Sequence, residues 1–306
     1  MLNKLRESIE SYFIGKPDVV NDVLICLLAG GHILLEDVPG VGKTTLAKTL
    51  AASLDCSFGR IQFTPDTLPG DVVGLSVFNM KTGEFEYREG AVMRQIILAD
   101  EINRTSPKTQ AALLEAMAEG QVSVDGQIYK LPEPFMVIAT QNPVEFLGTY
   151  PLPEAQIDRF MMKLSLGYPS PETEAALAKN MLAGKTVGDV TPVCSASDVL
   201  NLRTKARSVH VEDCVLDYIG GIISRTRQEK RFALGASPRA FLDLTKASQA
   251  RAYLSGRDFV KPDDVKAVAQ NILHHRVILT PEAKIGREDV DRILPSLILT
   301  ETVPTA

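Results

Sequence analysis

The chain has 306 residues, of which 45% are hydrophobic and 23% charged, and its formal net charge is −5. That length accommodates two domains of ordinary size, and that composition excludes a disordered chain, which would be less apolar and more charged. The negative balance excludes a global basic field drawing the protein to nucleic acid or a membrane surface, and leaves room only for a local basic groove.

The first residues, Met1 to Glu7, mix both charge signs without an apolar core and do not read as a signal peptide. Val19 to Leu35 is apolar but interrupted by Asp22, Gly30-Gly31 and His32, which predicts a buried helix and a buried strand, with no membrane span. The helix covers 17–29, with Pro17 in its first turn and Gly30-Gly31 at its end. His32 to Glu36, a short apolar run between glycine and a proline-glycine turn, predicts a strand covered on both faces. Lys43 to Leu54 has helical spacing through Leu46, Ala47, Leu50 and Leu54. Arg60–Thr64, Ile96–Asp100 and Phe135–Thr140 read as further strands, with Met161–Leu166 as a fifth. Strands alternating with helices predict a three-layer α/β fold around a parallel sheet.

Two hairpins interrupt the alternation. Leu75–Asn79 and Glu84–Arg88 flank a Lys81-Thr82-Gly83 turn, and Gln121–Val124 and Gln127–Lys130 flank Asp125-Gly126, a pair suited to a type I′ turn. Tyr168-Pro169-Ser170-Pro171 then breaks the pattern, and the remainder reads as helical. Ser170 caps a helix that begins at Pro171, and helices follow over about 197–208, 213–230, 238–254 and 262–276. The division predicted is an α/β core over 1–168 and a small all-α domain over 169–306, whose last part, 280–306, has the weakest pattern. Cys26, Cys56, Cys194 and Cys214 form no C-x-x-C pair and read as reduced thiols of a cytoplasmic protein.

The chemistry concentrates at the strand ends. Pro39-Gly40-Val41-Gly42-Lys43-Thr44-Thr45 joins the first strand to its helix. Its glycines let the backbone turn several N–H groups towards one point, and the helix N-terminus adds its positive dipole end. Lys43 supplies a mobile cation for the β- and γ-phosphates of a nucleotide, and the Thr44 hydroxyl a hard oxygen for Mg²⁺. The general phosphate-loop pattern opens with glycine, where this chain has Asp37. Asp100-Glu101 closes a buried strand. Unpaired buried carboxylates are costly, so such a pair calls for a cation or a polar cleft. Alone it reads equally well as a solvated strand end. With the phosphate loop upstream, Asp100 becomes the Mg²⁺ residue and Glu101 the residue that polarises the attacking water.

Three residues remain ordinary on local grounds. Asn142-Pro143 reads as a turn, although an amide there can hold a water. Arg159 reads as a helix-end cation. Arg239, in the first turn after Ser237-Pro238, opposes the helix dipole, an effect a surface arginine tolerates. Arg104 beside the acidic pair either couples to a neighbour or simply pairs with an acid, and His274-His275-Arg276 reads as structural.

Taken together, these motifs resemble the MoxR family of AAA+ ring motors. The likeness runs from about Ile14 through Arg276 and is carried by Leu35–Thr44, by Leu98–Arg104 with Pro107–Met117, by Ile138–Pro143 and by Gly148–Phe160. Asp37 fits this family's loop. The resemblance implies an ATPase in which Asn142 is a first sensor and Arg159 an arginine finger acting in a neighbouring subunit's site. It makes Arg239 a second sensor and places Ile14 and Gly15 against adenine. The hairpins of 66–90 and around Asp125-Gly126 match inserts shared with magnesium chelatase motors and replicative helicases. It further implies a hexameric ring, chaperone-like remodelling of protein clients and a partner carrying a von Willebrand factor A domain. A chelatase-type motor for metal insertion is the alternative. A nucleic-acid motor is disfavoured by the acidic balance, and a non-hydrolysing switch by the intact Glu101.

Overall fold

The computed structural model of the protein describes residues 1–142 and 149–304. By spatial proximity the chain forms two compact units. One comprises Met1–Asn21, His32–Arg159 and Leu164–Leu200, the other Asp22–Gly31, Phe160–Lys163 and Asn201–Ala306.

The sheet has five strands in the order Phe58–Gln62, Ile96–Asp100, Met136–Gln141, Ile33–Glu36, Met162–Leu164, and the first four of them organise the first unit. Three of these are buried runs, apolar but for Thr140 before their ends, that turn partly exposed only at their last position, Glu36, Asp100 or Gln141. Such runs suit strands covered on both faces, and the pairings among the first four strands are parallel. The helix Lys43–Ser53 covers the sheet through Leu46, Ala47, Leu50 and Ala51. A helix not foreseen, Leu2–Glu10, buries Leu5 and Ile9 and bonds Ser8 to Ser53 through their hydroxyls at 2.9 Å.

The second strand begins two residues earlier than the sequence suggests. Its register runs from Phe58↔Ile96 to Gln62↔Asp100, and Gly59, a poor strand former, hides that start. Thr64 instead enters a turn held by the Thr67 hydroxyl at 2.9 Å. Both hairpins form as read. Asp125 and Gly126 take φ of 49° and 79°, as a type I′ turn requires. The Tyr87 and Tyr129 rings stack at 3.9 Å, which ties one hairpin to the other.

Residues 169–200 group with the first unit and not with the helical part. Their helices form as expected, but Lys185 Nζ donates to the Ser11 carbonyl and the Val193 N–H to that of Ser53, both at 2.8 Å. Conversely most of the helix Pro17–Ala29 falls with the second unit, where Asn271 donates to Asp22 and Arg203 to the Leu27 carbonyl. Periodicity reports the type of element and not the element it packs against.

The second unit is built on the amphipathic helices Asp213–Gln228, Pro238–Leu254 and Pro262–Leu273, in which apolar residues such as Ile219, Leu244 and Val268 are buried. It is not purely helical. Phe232–Leu234 pairs antiparallel with Ile278–Leu279, and Phe232, Val277 and Ile293 form a small core beneath. Two helices, Pro281–Ile285 and Val290–Thr300, occupy the segment whose pattern was weakest. Among the described residues no helix is long and apolar enough to cross a membrane.

The His274-His275-Arg276 turn serves packing. Arg276 is 4% exposed and donates to Asp243 Oδ2 at 2.6 Å and to the Phe160 carbonyl at 2.8 Å. His275 Nε2 donates to the same carbonyl at 2.9 Å. Burial, and then the Arg276 charge, push the His275 imidazole from 6.5 down to about 3. The histidine is therefore neutral when folded and protonates more readily when unfolded. Its contribution is complete above about pH 6.5 and is lost as pH falls towards 3, with a slope of at most about 1.4 kcal/mol per pH unit. Urea denaturation between neutral and acid pH should show this loss, and His275→Gln should flatten it.

Candidate active site

The parallel register brings the carboxyl ends of four strands to one edge of the sheet. Glu36 lies opposite Gln141, and Gln62 opposite Asp100. Ligands of open α/β sheets bind beyond this edge.

From the first strand the chain enters the glycine loop. Gly40 and Gly42 take φ of 89° and 98°, a left-handed backbone that side chains resist. Gly42 is the N-cap of Lys43–Ser53 and offers no side-chain cap, so the first-turn N–H groups are free of one. That is a ready anion site. Lys43 Nζ donates to the Asp37 carbonyl at 2.7 Å. Half-burial lowers the Lys43 pKa from lysine's ordinary value, while the carboxylates of Asp37, Asp100 and Glu101 act in the opposite sense.

The acidic pair is held by its neighbours. The Thr140 hydroxyl, fully buried, donates to Asp100 Oδ1 at 2.7 Å and accepts from the Glu101 N–H at 2.8 Å. Arg60 donates to Asp100 Oδ2 at 2.7 Å and to Gln62 Oε1 at 2.8 Å. Gln62 in turn donates to Glu101 Oε2 at 2.9 Å, and Arg104 to the same oxygen at 3.2 Å. Glu101 takes φ 57° and ψ 51°, a left-handed conformation that costs a non-glycine residue roughly 1–3 kcal/mol and persists only where the surroundings impose it. Its carboxylate is received by Gln62 and Arg104.

Both groups open on one cleft of about 350 Å³. Pro39, Gly40, Gly42, Lys43 and Thr44 line it from one side, and Asp100, Glu101, Arg60 and Gln62 from the other, with Asn142 also at its wall. Thr44 and Asp100 bring to the cleft hard oxygen donors of the kind that would suit Mg²⁺, an ion that needs no all-protein cage. Val41 and Thr45 belong to the loop without lining the cleft. Ile14 and Gly15 do not line it either, but the adjacent Phe13 ring would lie 3.4 Å from a Cβ on Gly42.

Neither Arg159 nor Arg239 is among the residues that line this cleft. Arg159 donates to the Leu114 carbonyl at 2.6 Å and borders a separate cavity of about 480 Å³ with Glu115, Glu119 and Gln121. Arg239 is exposed in the first turn of Pro238–Leu254, which Ser237 caps by accepting from the Ala240 N–H. Pro143 and Gly148, parts of two of the sequence signatures, lie outside the described residues.

Sequence reasoning assigned no role to Arg60, Gln62 or Thr140. A signal for the first two existed. They sit two apart on a strand that buries Ile61 between them, and residues at that spacing share a face.

The sheet order, the phosphate loop and the acidic pair define a P-loop ATPase of the AAA+ class. Residues 32–162 match the model of the ATPase family associated with various cellular activities (AAA), and residues 224–297 that of the AAA lid domain. The chain is 40% identical to Chaperone MoxR1 of Mycobacterium tuberculosis over 97% of its own length and 79% of that protein's. It is 49% identical to the uncharacterized protein YeaC of Bacillus subtilis over 99% and 95% of the two chains. A crystal structure from Cytophaga hutchinsonii superposes with a TM-score of 0.92 at 39% identity, covering 99% of this chain and 94% of that one. The chain belongs to the MoxR family of AAA+ ATPases.

Thr140→Val keeps the side chain's shape but leaves Asp100 Oδ1 without that donor and the Glu101 N–H without that acceptor. We expect stability to fall by about 1–3 kcal/mol and ATP turnover by about tenfold or more. Denaturation and steady-state ATPase assays measure the two effects.

Proposed function

We propose that the protein is a Mg²⁺-dependent ATP-driven ring motor that remodels protein partners, its ring being a hexamer and its setting the cytoplasm. The observation that carries this reading is the single cleft shared by Lys43, Thr44, Asp100 and Glu101. In it the N–H groups around Gly42 receive the phosphates, and Lys43 moves from the Asp37 carbonyl to the β- and γ-phosphates. Thr44 and Asp100 would hold Mg²⁺, which supplies charge neutralisation at the phosphates. Glu101 orients and polarises the attacking water, with Asn142 beside it.

Arg159 acts in this reading as the arginine finger for a neighbouring subunit's nucleotide. Its absence from the wall of its own chain's phosphate cleft supports a role in trans. Arg239 as second sensor, and Ile14 with Gly15 at the adenine, rest on their family positions. The net charge of −5 favours a protein client over a nucleic acid. A relative that is named a chaperone supports remodelling, and the family resemblance supports a partner with a von Willebrand factor A domain.

Glu101→Gln should bind ATP with affinity close to that of the parent protein and lose nearly all turnover. Undiminished turnover would remove Glu101 from the reaction. Arg159→Ala should bind nucleotide normally while hydrolysis in assembled rings falls by about 10³-fold or more. Mixing this variant with Glu101→Gln tests the trans arrangement, since each can complete only some of the mixed interfaces. Normal activity of Arg159→Ala alone would move the finger to another residue, with Arg104 the first to examine.

A further inference from the structure

The residue that departs from the general phosphate-loop pattern is tied down at its side chain, its N–H and its carbonyl. Asp37 is 6% exposed, and its carboxylate accepts from the Ser165 hydroxyl at 2.8 Å, the Leu166 N–H at 2.7 Å and the Gly167 N–H at 3.0 Å. Its own N–H donates to the Gln141 carbonyl at 3.3 Å. Its carbonyl is the acceptor for Lys43 Nζ. One residue thus joins the first strand's exit, the neighbouring strand's end, the 165–167 segment and the phosphate-binding lysine.

We propose that Asp37 is a positioning residue for the phosphate loop, fixing its first residue so that the N–H groups around Gly42 and the Lys43 ammonium meet a polyphosphate in register. A glycine at this position makes the loop rely on its own backbone. Here the carboxylate anchors it to a separate segment of chain. A buried carboxylate on three donors is costly to disturb, because each donor left unmatched loses its partner. The same segment continues to Tyr168, whose carbonyl accepts from Lys16 at 3.0 Å, and to Thr173, which packs so closely on Gly15 that a Cβ there would lie 2.5 Å from its hydroxyl. These contacts hold residues 14–16 without the Asp37 carboxylate. The phosphate side of the site is therefore separable from that side by experiment.

The inference rests on the nucleotide reading of the cleft. Its test compares ADP and adenosine binding to the full chain, by calorimetry and by competition, for Asp37→Asn and Asp37→Gly. Asparagine sets an amide N–H₂ against donors, and glycine restores the general pattern while removing the anchor. ADP should bind about tenfold or more weakly to both, with adenosine affinity unchanged. ADP affinity equal to the parent protein's, or equal losses for ADP and adenosine, would overturn the role. If Asp37→Asn does not fold, Ser165→Ala removes one donor alone. ADP binding weaker by about three- to fivefold then supports the role, and unchanged binding overturns it. Lys43→Ala separates the two readings. Loss of ADP binding there, with parental binding in the Asp37 variants, leaves the nucleotide site standing and removes only the anchor.

Discussion

The parallel hydrogen-bond register of the central strands is the constraint on which the site depends. Leu35 opposite Thr140, and Ala99 opposite Ala139, set the ends of three strands level. Only then can one Thr140 hydroxyl reach both Asp100 and the backbone of Glu101. A slip of one residue would send every side chain of the strand to the opposite face and part the carboxylates from the loop. The apolar runs of these strands bury residues on both faces, and the pairing is fixed at the edge where polarity returns. The position of the chemistry thus follows from the packing of a core that takes no part in it.

At that edge the charges are mutually dependent. Asp100 and Glu101 are partly buried carboxylates, and the cations nearest them in the hydrogen-bond network are Arg60 and Arg104. Both pairs are partly exposed, so each bridge contributes little on its own. Their effect is geometric, since Arg60 also holds Gln62 and Gln62 holds Glu101. The Glu101 carboxylate is therefore placed by three polar side chains and a strained backbone, not by the acidic motif alone. Charge entering the cleft with a polyphosphate acts on every member of that network, because Lys43, Asp100 and Glu101 already interact electrostatically.

Much of this was legible in the sequence, for identifiable reasons. Glycines at 40 and 42, a lysine after them and a carboxylate pair after an apolar run are local signals, and local signals survive without coordinates. The type I′ turn at Asp125-Gly126 is another, fixed by two residues' backbone preferences. What was not legible depends on pairing across long separations. The roles of Thr140 and Ser165 come from partners 39 to 128 residues away. The grouping of 169–200 with the first unit likewise rests on bonds to Ser11 and Ser53. The small antiparallel pair near Phe232 was missed because strands of two or three residues leave no period to read.

Asp37 brings the two kinds of information together. In the sequence it is a violation, an acid where a general rule wants glycine. In the fold it is the carboxylate at which strand exit, phosphate loop and the 165–167 segment meet. A rule broken locally and satisfied by distant donors is what a specialised site looks like before its partners are known. In this chain the loop's first residue is anchored by a side chain, and a side-chain anchor differs in one physical respect. It makes the geometry of the loop depend on a second segment of the same chain, so in the proposed role whatever displaces residues 165–167 also displaces Lys43.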